Sequence, residues 1–388
     1  MHFPLRAVFA VFLCLAVGGC QTHSETAPLR IGVMIEARTL EKLPVVQAIE
    51  LLLEQTNAAG GLQLANGDRV PAELVVKSDF VTQDEAVVAI RELIYQEKVT
   101  AVIGPLLSRN AIPAGDVAES VGVPMISPGS THPDTTAGKR WVFRMSSVNA
   151  FQGQSMAHFA FNDLDATTAA VLYDVSEPFS RGVGKVFQEA FTAAGGRVVA
   201  SEPYTPADQN FDERLAKIGA LEPGVLFLPN PNSETIPQAV AARRLGLDAV
   251  ILGCDAWTVA RLVDAPELEG AFAFQHWHPD LGATTPETAS FVNLYRERFG
   301  LEPSDSAALS WDAAGLILAA AARGGVDPAS IRDHLEAMEN YRGASGPITY
   351  AGYGGDPPKS AVIVRIGEGR VNLDRQLPPP ASAATDGL

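Results

Sequence analysis

The residues of this 388-residue chain that could do chemistry fall into a few short runs. Gly104-Pro-Leu-Leu-Ser108 leads into a helical pattern, and Ser127-Pro-Gly129-Ser130-Thr131 gathers hydroxyl and backbone polar groups in a loop. Gly253-Cys-Asp255-Ala-Trp257 sets a carboxylate beside an indole. A serine at the start of a helix can cap it, and the free N–H groups of the first turn favour an anion. A carboxylate favours a cation. The runs together suit a zwitterion, its carboxylate on Ser108 and Thr131 and its ammonium on Asp255. Each run also has a plain structural reading. Ser108 can be a simple N-cap, 127–130 only a turn, Asp255 the cap of a helix starting near Thr258, and Trp257 core filling instead of a cleft wall.

Other chemistries find less support. Gly182-Val-Gly184-Lys185 lacks the spacing of a phosphate loop and the Ser or Thr after the lysine. The nucleophile elbow G-x-S-x-G does not occur. His276-Trp-His278 could set two imidazoles on one side of a strand, with Asp280 close by, but no further ligand follows at metal spacing. No serine, histidine and acid can be assigned as a triad from spacing. The expectation is therefore no catalytic residue, no metal and no cofactor.

These runs need a scaffold, and the pattern supplies one. Apolar strand-like stretches at 29–35, 72–77, 100–104 and 124–127 alternate with helical periodicity at 43–56, 83–96 and 108–121. The alternation pauses near Trp141-Val-Phe-Arg144 and resumes with strands at 169–173, 197–200, 225–228 and 249–252. Such βαβα order implies parallel sheets with helices on both faces. Two doubly wound α/β domains are predicted. In open sheets of this kind ligands sit beyond the carboxyl ends of the strands, where all three runs lie. From Pro286 the texture turns helical, over 291–299, 307–323 and 328–340, before strands at 348–350 and 361–366.

Composition bounds the partners. With 29 Lys+Arg against 45 Asp+Glu the formal charge is −16, which repels phosphates, so neither nucleic acid nor a basic contact with anionic lipid is expected. The three cysteines cannot build a disulfide framework. At the N-terminus Arg6 precedes an apolar run at 7–17 that ends in Val17-Gly18-Gly19-Cys20. The run has the length of a signal-peptide core and is short for a membrane span. Its end resembles the bacterial lipobox, which implies acylation of Cys20, a signal peptide at 1–19, a polar tether at 20–28, and a body held at the membrane only through its lipid. An ordinary signal peptide with a chance cysteine is the alternative.

In their order and spacing these residues resemble the type I periplasmic binding proteins, in the branch that binds leucine, isoleucine and valine for ABC transporters. The markers are Asn57-Ala-Ala-Gly-Gly61, Asp79, Ala101-Val-Ile-Gly-Pro105 with Ser108, Gly122 to Thr131, Val142-Phe-Arg144 and Ser310-Trp-Asp-Ala313. The resemblance covers nearly all of 29–366. It implies two Rossmann-like lobes joined by three crossovers, one from 29–146 plus 274–343 and the other from 147–273 plus 344–374; the Pro- and Ala-rich composition predicts a disordered tail at 375–388. The resemblance also implies a ligand site of Ser108, Ser130, Thr131, Phe179 and Asp255, beside which the runs themselves add Gly129 and Trp257, with an amino acid or related small polar guest, an ABC permease as partner, and a periplasmic location. The chain departs from the family's pattern at Glu36-Ala-Arg38-Thr-Leu-Glu41, at Pro229-Asn-Pro-Asn232 where a tyrosine is usual, and in carrying aspartate at 255 where glutamate is commoner. An envelope lipoprotein of the same fold that regulates cell-wall synthesis is the rival expectation.

Overall fold

The computed structural model describes residues 27–208 and 210–380. The predicted signal peptide, Cys20 and most of the tether lie outside these residues. The chain opens with β1 (Leu29–Met34), α1 (Lys42–Ala58), the hairpin β2 (Leu62–Gln63) and β3 (Arg69–Val70), and β4 (Ala72–Lys77). It continues through α2 (Gln83–Tyr95), β5 (Ala101–Ile103), α3 (Ser108–Val121), β6 (Met125–Ser127) and β7 (Val142–Arg144). The large strands of this lobe form one parallel sheet in the order β4-β1-β5-β6-β7. The pause near Arg144 in the sequence pattern is thus its last strand.

The second lobe runs through α4 (Asn149–Asn162), β8 (Thr168–Asp174), α5 (Pro178–Ala193), β9 (Arg197–Tyr204), α6 (Asp212–Gly219), β10 (Val225–Phe227), α7 (Asn232–Arg244), β11 (Val250–Gly253) and β12 (Phe272–Gln275). The chain then returns to the first lobe as α8 (Pro286–Phe299), α9 (Asp305–Gly324), α10 (Pro328–Glu336) and the hairpin β13 (Tyr341–Gly343) with β14 (Gly346–Ile348). It ends back in the second sheet with β15 (Ala361–Gly367) and β16 (Arg370–Leu377). That sheet has the order β16-β15-β12-β11-β10-β8-β9, with β15 and β16 antiparallel and the rest parallel. The architecture is two doubly wound α/β lobes with three crossovers.

Sequence-level physics accounts for the elements. β5 and β6 are buried on both faces, as central parallel strands must be. Thr82 and Glu85 form a reciprocal capping box that starts α2. Gly122, at φ +72°, ends α3 in the left-handed conformation. The apolar stripe of α9 packs into one core with β1, β5 and α1. Ala344, Ile348 and Tyr350 join the first lobe's cores, so the last crossing follows Tyr350 and not 343. The second-lobe sheet retains Phe274 and Gln275. The tail expectation is corrected in part: Arg375–Leu377 are strand, because Leu377 pairs with Ala361 and packs on the second lobe's core. Residues 381–388 lie outside the described ones.

In each parallel sheet the strand order reverses beside the first strand, between β1 and β5 and between β8 and β10. Those reversals open the two crevices where loops can splay apart. At the first crevice Gly104 has φ +96°, and a Cβ there would lie 1.9 Å from the Met34 carbonyl oxygen. Neither the conformation nor the space admits a side chain. Gly104→Ala is expected to cost about 3 kcal/mol or more, read as a lower urea midpoint at unchanged slope; an unchanged midpoint would contradict this close approach.

Candidate functional site

The first lobe presents the loops after β5 and β6. Ser108 is the first residue of α3, but the N-cap is Leu107 and no side chain caps the helix. The capping reading of Ser108 is therefore corrected. Glu36, named above only as part of a departure from the family's pattern, holds the segment just ahead of the helix instead. The buried Glu36 carboxylate accepts the Leu107 N–H (3.0 Å), the Leu106 N–H (3.3 Å) and Asn110 Nδ2 (3.2 Å). Burial lifts its pKa above the ordinary carboxylate range, against the pull of those bonds. The Ser108 hydroxyl instead accepts from Ser130 Oγ (3.1 Å), which also contacts Thr135 Oγ1 (2.6 Å). Ser127 Oγ donates to the Pro105 carbonyl (2.6 Å) and accepts the Ser130 N–H (3.1 Å). Gly129 lets this loop pass the Leu106 carbonyl, which a Cβ would meet at 3.2 Å.

A buried arginine fixes the loop from behind. Arg144, fully buried, donates to the carbonyls of Ser130 (3.2 Å), His132 (3.0 Å) and Pro133 (3.4 Å), to Thr136 Oγ1 (2.7 Å) and to Asp356. Its guanidinium carries five N–H donors for these five acceptors, where a lysine has three. Asp356 belongs to the third crossover, so the hydroxyl loop is tied to the hinge.

The second lobe presents Asp255, just beyond β11. Its Oδ2 lies 2.8 Å from His276 Nε2, with both side chains buried. Its Oδ1 is buried and has no partner among the described residues. The Asp255 N–H donates to Gln152 Oε1 (3.5 Å), and Gln152 Nε2 donates to Thr131 Oγ1 (3.4 Å). One glutamine thus joins the hydroxyl loop of one lobe to the acid of the other, and the two half-sites share a crevice. Nearer its mouth Arg109 and Glu177, on opposite lobes, pair at 2.9 Å.

His276 connects this acid to the crossovers. Its Nδ1 faces Ser147 Oγ (3.3 Å) on the first crossover, and its backbone N–H donates to Asp305 Oδ2 (2.6 Å) at the start of α9. Burial alone would depress the imidazole, but the Asp255 hydrogen bond with the Asp305 and Asp255 charges lifts it above its usual value. Asp305 is pushed up to about 6, chiefly by desolvation. Lys359, buried on the third crossover beside Ser345 and Asp312, is pushed down to about 8 by burial.

The other expected residues fall as follows. Phe179 is partly buried at the start of α5 and packs on the second lobe's core. Trp257 is 1% exposed, packs in that lobe's other core cluster and donates its indole N–H to the Leu228 carbonyl (3.2 Å). It is a core residue under Gly253, where a Cβ would clash with its ring. Asp255 caps no helix, since Thr258 precedes the short 3-10 turn that follows and contributes no side-chain cap. His276 and His278 do not converge: His278 Nδ1 accepts the Asp280 N–H (3.2 Å). Among the described residues no group of three metal-ligating side chains gathers. Gly182 lies against Asn149, and Lys185 is an exposed partner of Glu189.

The His276–Asp255 pair makes a pH-dependent prediction. The folded chain holds the His276 proton more tightly than the unfolded chain. That contribution is full below about pH 6.5 and fades as pH rises through the folded value. His276→Leu is expected to lower stability by about 3 kcal/mol at pH 6, by stranding a buried carboxylate, and by less at pH 9. Urea denaturation of both proteins at the two pH values checks it, and an equal loss at both would contradict it.

Residues 41–370 match the sequence profile of the family described as periplasmic binding protein. An amino acid binding protein of Pseudomonas aeruginosa is 30% identical over 203 residues, 52% of this chain and 53% of its own length. A Leu/Ile/Val-binding protein homologue of Brucella suis is 24% identical over 359 residues, 90% of this chain and 92% of its own. The chain spans about half the length of most of the curated relatives it matches. A crystal structure of a leucine-binding protein from Thermotoga maritima superimposes with a TM-score of 0.82 at 29% identity, over 90% of this chain and 99% of that one. With the two-lobed fold and the shared crevice already established, the match to 41–370 settles the family: the chain belongs to the type I periplasmic binding proteins, in the branch of branched-chain amino acid ABC transporter substrate-binding proteins.

Proposed function

We propose that the protein is a lipid-anchored, extracytoplasmic receptor that captures an amino acid or a related small polar solute between its lobes and delivers it to an ABC permease. The observation that carries the reading is the unpaired, buried Asp255 Oδ1 in the crevice that Gln152 closes onto Thr131. A buried carboxylate oxygen without a partner is destabilising unless a guest supplies the donor. An ammonium supplies it. The guest's carboxylate meets Ser108, Gly129, Ser130 and Thr131, and Phe179 flanks its side chain. The surroundings agree in charge. Asp255, Asp305 and Asp312 stand near His276 and Lys359, a setting that favours a cation beside Asp255.

Relatives support the class of guest. The Pseudomonas relative is named an amino acid binding protein and the Thermotoga structure is of a leucine-binding protein. No step of bond making is involved. The lobes close on the guest, each of its charges is desolvated and paired, and the closed form is what the permease reads, a population shift set by the guest's preference for that form. Among the described residues no helix is long and apolar enough to cross a membrane, and anchoring is assigned to acylation of Cys20. A regulator that acts only through protein contacts would have no use for an unpaired carboxylate oxygen in the crevice.

A thermal-shift screen of amino acids, amides and small organic acids identifies the guest; one present at 100 times its Kd stabilises the fold by about 2.7 kcal/mol. Asp255→Asn keeps the shape and removes the charge. It is expected to weaken the best amino acid by about a hundredfold, close to 3 kcal/mol, in titration calorimetry. Undiminished affinity would sink the assignment of Asp255.

A further inference from the structure

The crevice holds a second unsatisfied side chain, and it lies outside the set read from the sequence. Asn149 is the first residue of α4, at the end of the first crossover. It is 3% exposed, and both Oδ1 and Nδ2 are buried without a partner among the described residues. Reversing the amide would leave the same two orphans. Its backbone N–H donates to the Thr131 carbonyl (2.9 Å), which pins it to the hydroxyl loop. One helical turn on, Gln152 spans Thr131 and Asp255, so the α4 face that carries both residues looks into the same space. Across it, α5 has Gly182, where a Cβ would stand 2.7 Å from Asn149 Nδ2. The amide thus lies between the hydroxyl loop, the first turns of α5 and the acid.

We propose that Asn149 binds the guest directly, and that with Asp255 it restricts the site to solutes carrying nitrogen-borne hydrogens. This rests on the reading of the crevice given above and narrows it. Deep in the crevice the unpaired set is two acceptors, Asp255 Oδ1 and Asn149 Oδ1, and one donor group, Asn149 Nδ2, while Glu177 Oε1 is unpaired nearer the mouth. An α-amino acid head group answers all three, with three N–H donors and two carboxylate oxygens. A carboxylate without nitrogen brings no donor, carries the same sign of charge as Asp255 and leaves both acceptors buried and empty. Sites built to hydrogen-bond a group reject analogues lacking it by about 10⁴-fold.

The test uses the full chain without its signal peptide. The twenty standard amino acids are titrated by calorimetry, and the tightest is compared with its deaminated carboxylate. The expected result is loss of at least a thousandfold on deamination. Asn149→Leu, similar in size but apolar, is expected to weaken the amino acid at least thirtyfold. Gly182→Ala should do the same by crowding the amide; it touches only Asn149 and suits a helix, so it decides the matter should the first variant fail to fold. Deaminated guests that bind as well as the amino acid, or an affinity unchanged within threefold in both variants, would overturn the assignment while leaving the receptor reading in place. If none of the twenty binds, the assignment falls, and the screen of amides and small organic acids decides the receptor reading.

Discussion

The structure turns on a carboxylate taken out of water. Asp255 is held in a low-dielectric crevice with one oxygen on His276 and the other left open. Isolated, such a charge is expensive to bury, and geometry has to compensate it. The compensating groups come from elsewhere in the chain. His276 lies on the second crossover, its Ser147 contact on the first, and Lys359 on the third, beside Asp312. The segments that join the lobes are therefore also the segments that set the field around the acid. On the proposed function, guest charge and lobe movement act on the same buried groups, which is a physical basis for coupling capture to closure.

The hydroxyl half of the crevice is built on a different rule. The N–H groups ahead of α3 are an evident place for an anion, yet the chain puts its own Glu36 there. The loop that remains, Ser127 to Thr131, is shaped by hydroxyl pairing within the lobe and by the many-armed contact of Arg144. One wall is held by a polar network, and the other keeps the Asp255 oxygen unsatisfied. Rigid walls with a few open polar atoms are what selective small-molecule sites share.

Much of this was legible in the sequence, and what was not has a common cause. Local patterns revealed the alternation of strands and helices, the two lobes and the loops that carry Ser108, Ser130, Thr131 and Asp255, because strand ends and turn residues are written in a few consecutive positions. The partners of those residues were not legible. His276 meets Asp255 across 21 positions, Gln152 meets it across 103, and Arg144 meets Asp356 across 212. Nothing in periodicity reports such meetings. Trp257 looked like a cleft wall because it adjoins the acid, but a side chain two residues on from Asp255 turned into the core beneath Gly253. Asn149 carried no signal beyond its place at the start of a helical stretch, and only the absence of a partner in the folded chain marks it. The strand at Arg370–Leu377 was missed for its charged residues, which sit on a partly exposed edge.

The bridge between Arg109 and Glu177 has a consequence of its own. The two side chains belong to opposite lobes and are 39% and 14% exposed, so the contact exists only while the lobes are together. A pair that is partly wet is screened by dissolved ions, over about 8 Å at physiological strength. Salt in the medium outside the cell membrane thereby becomes a variable of lobe angle. Dilute surroundings hold the two jaws together more tightly than brine does.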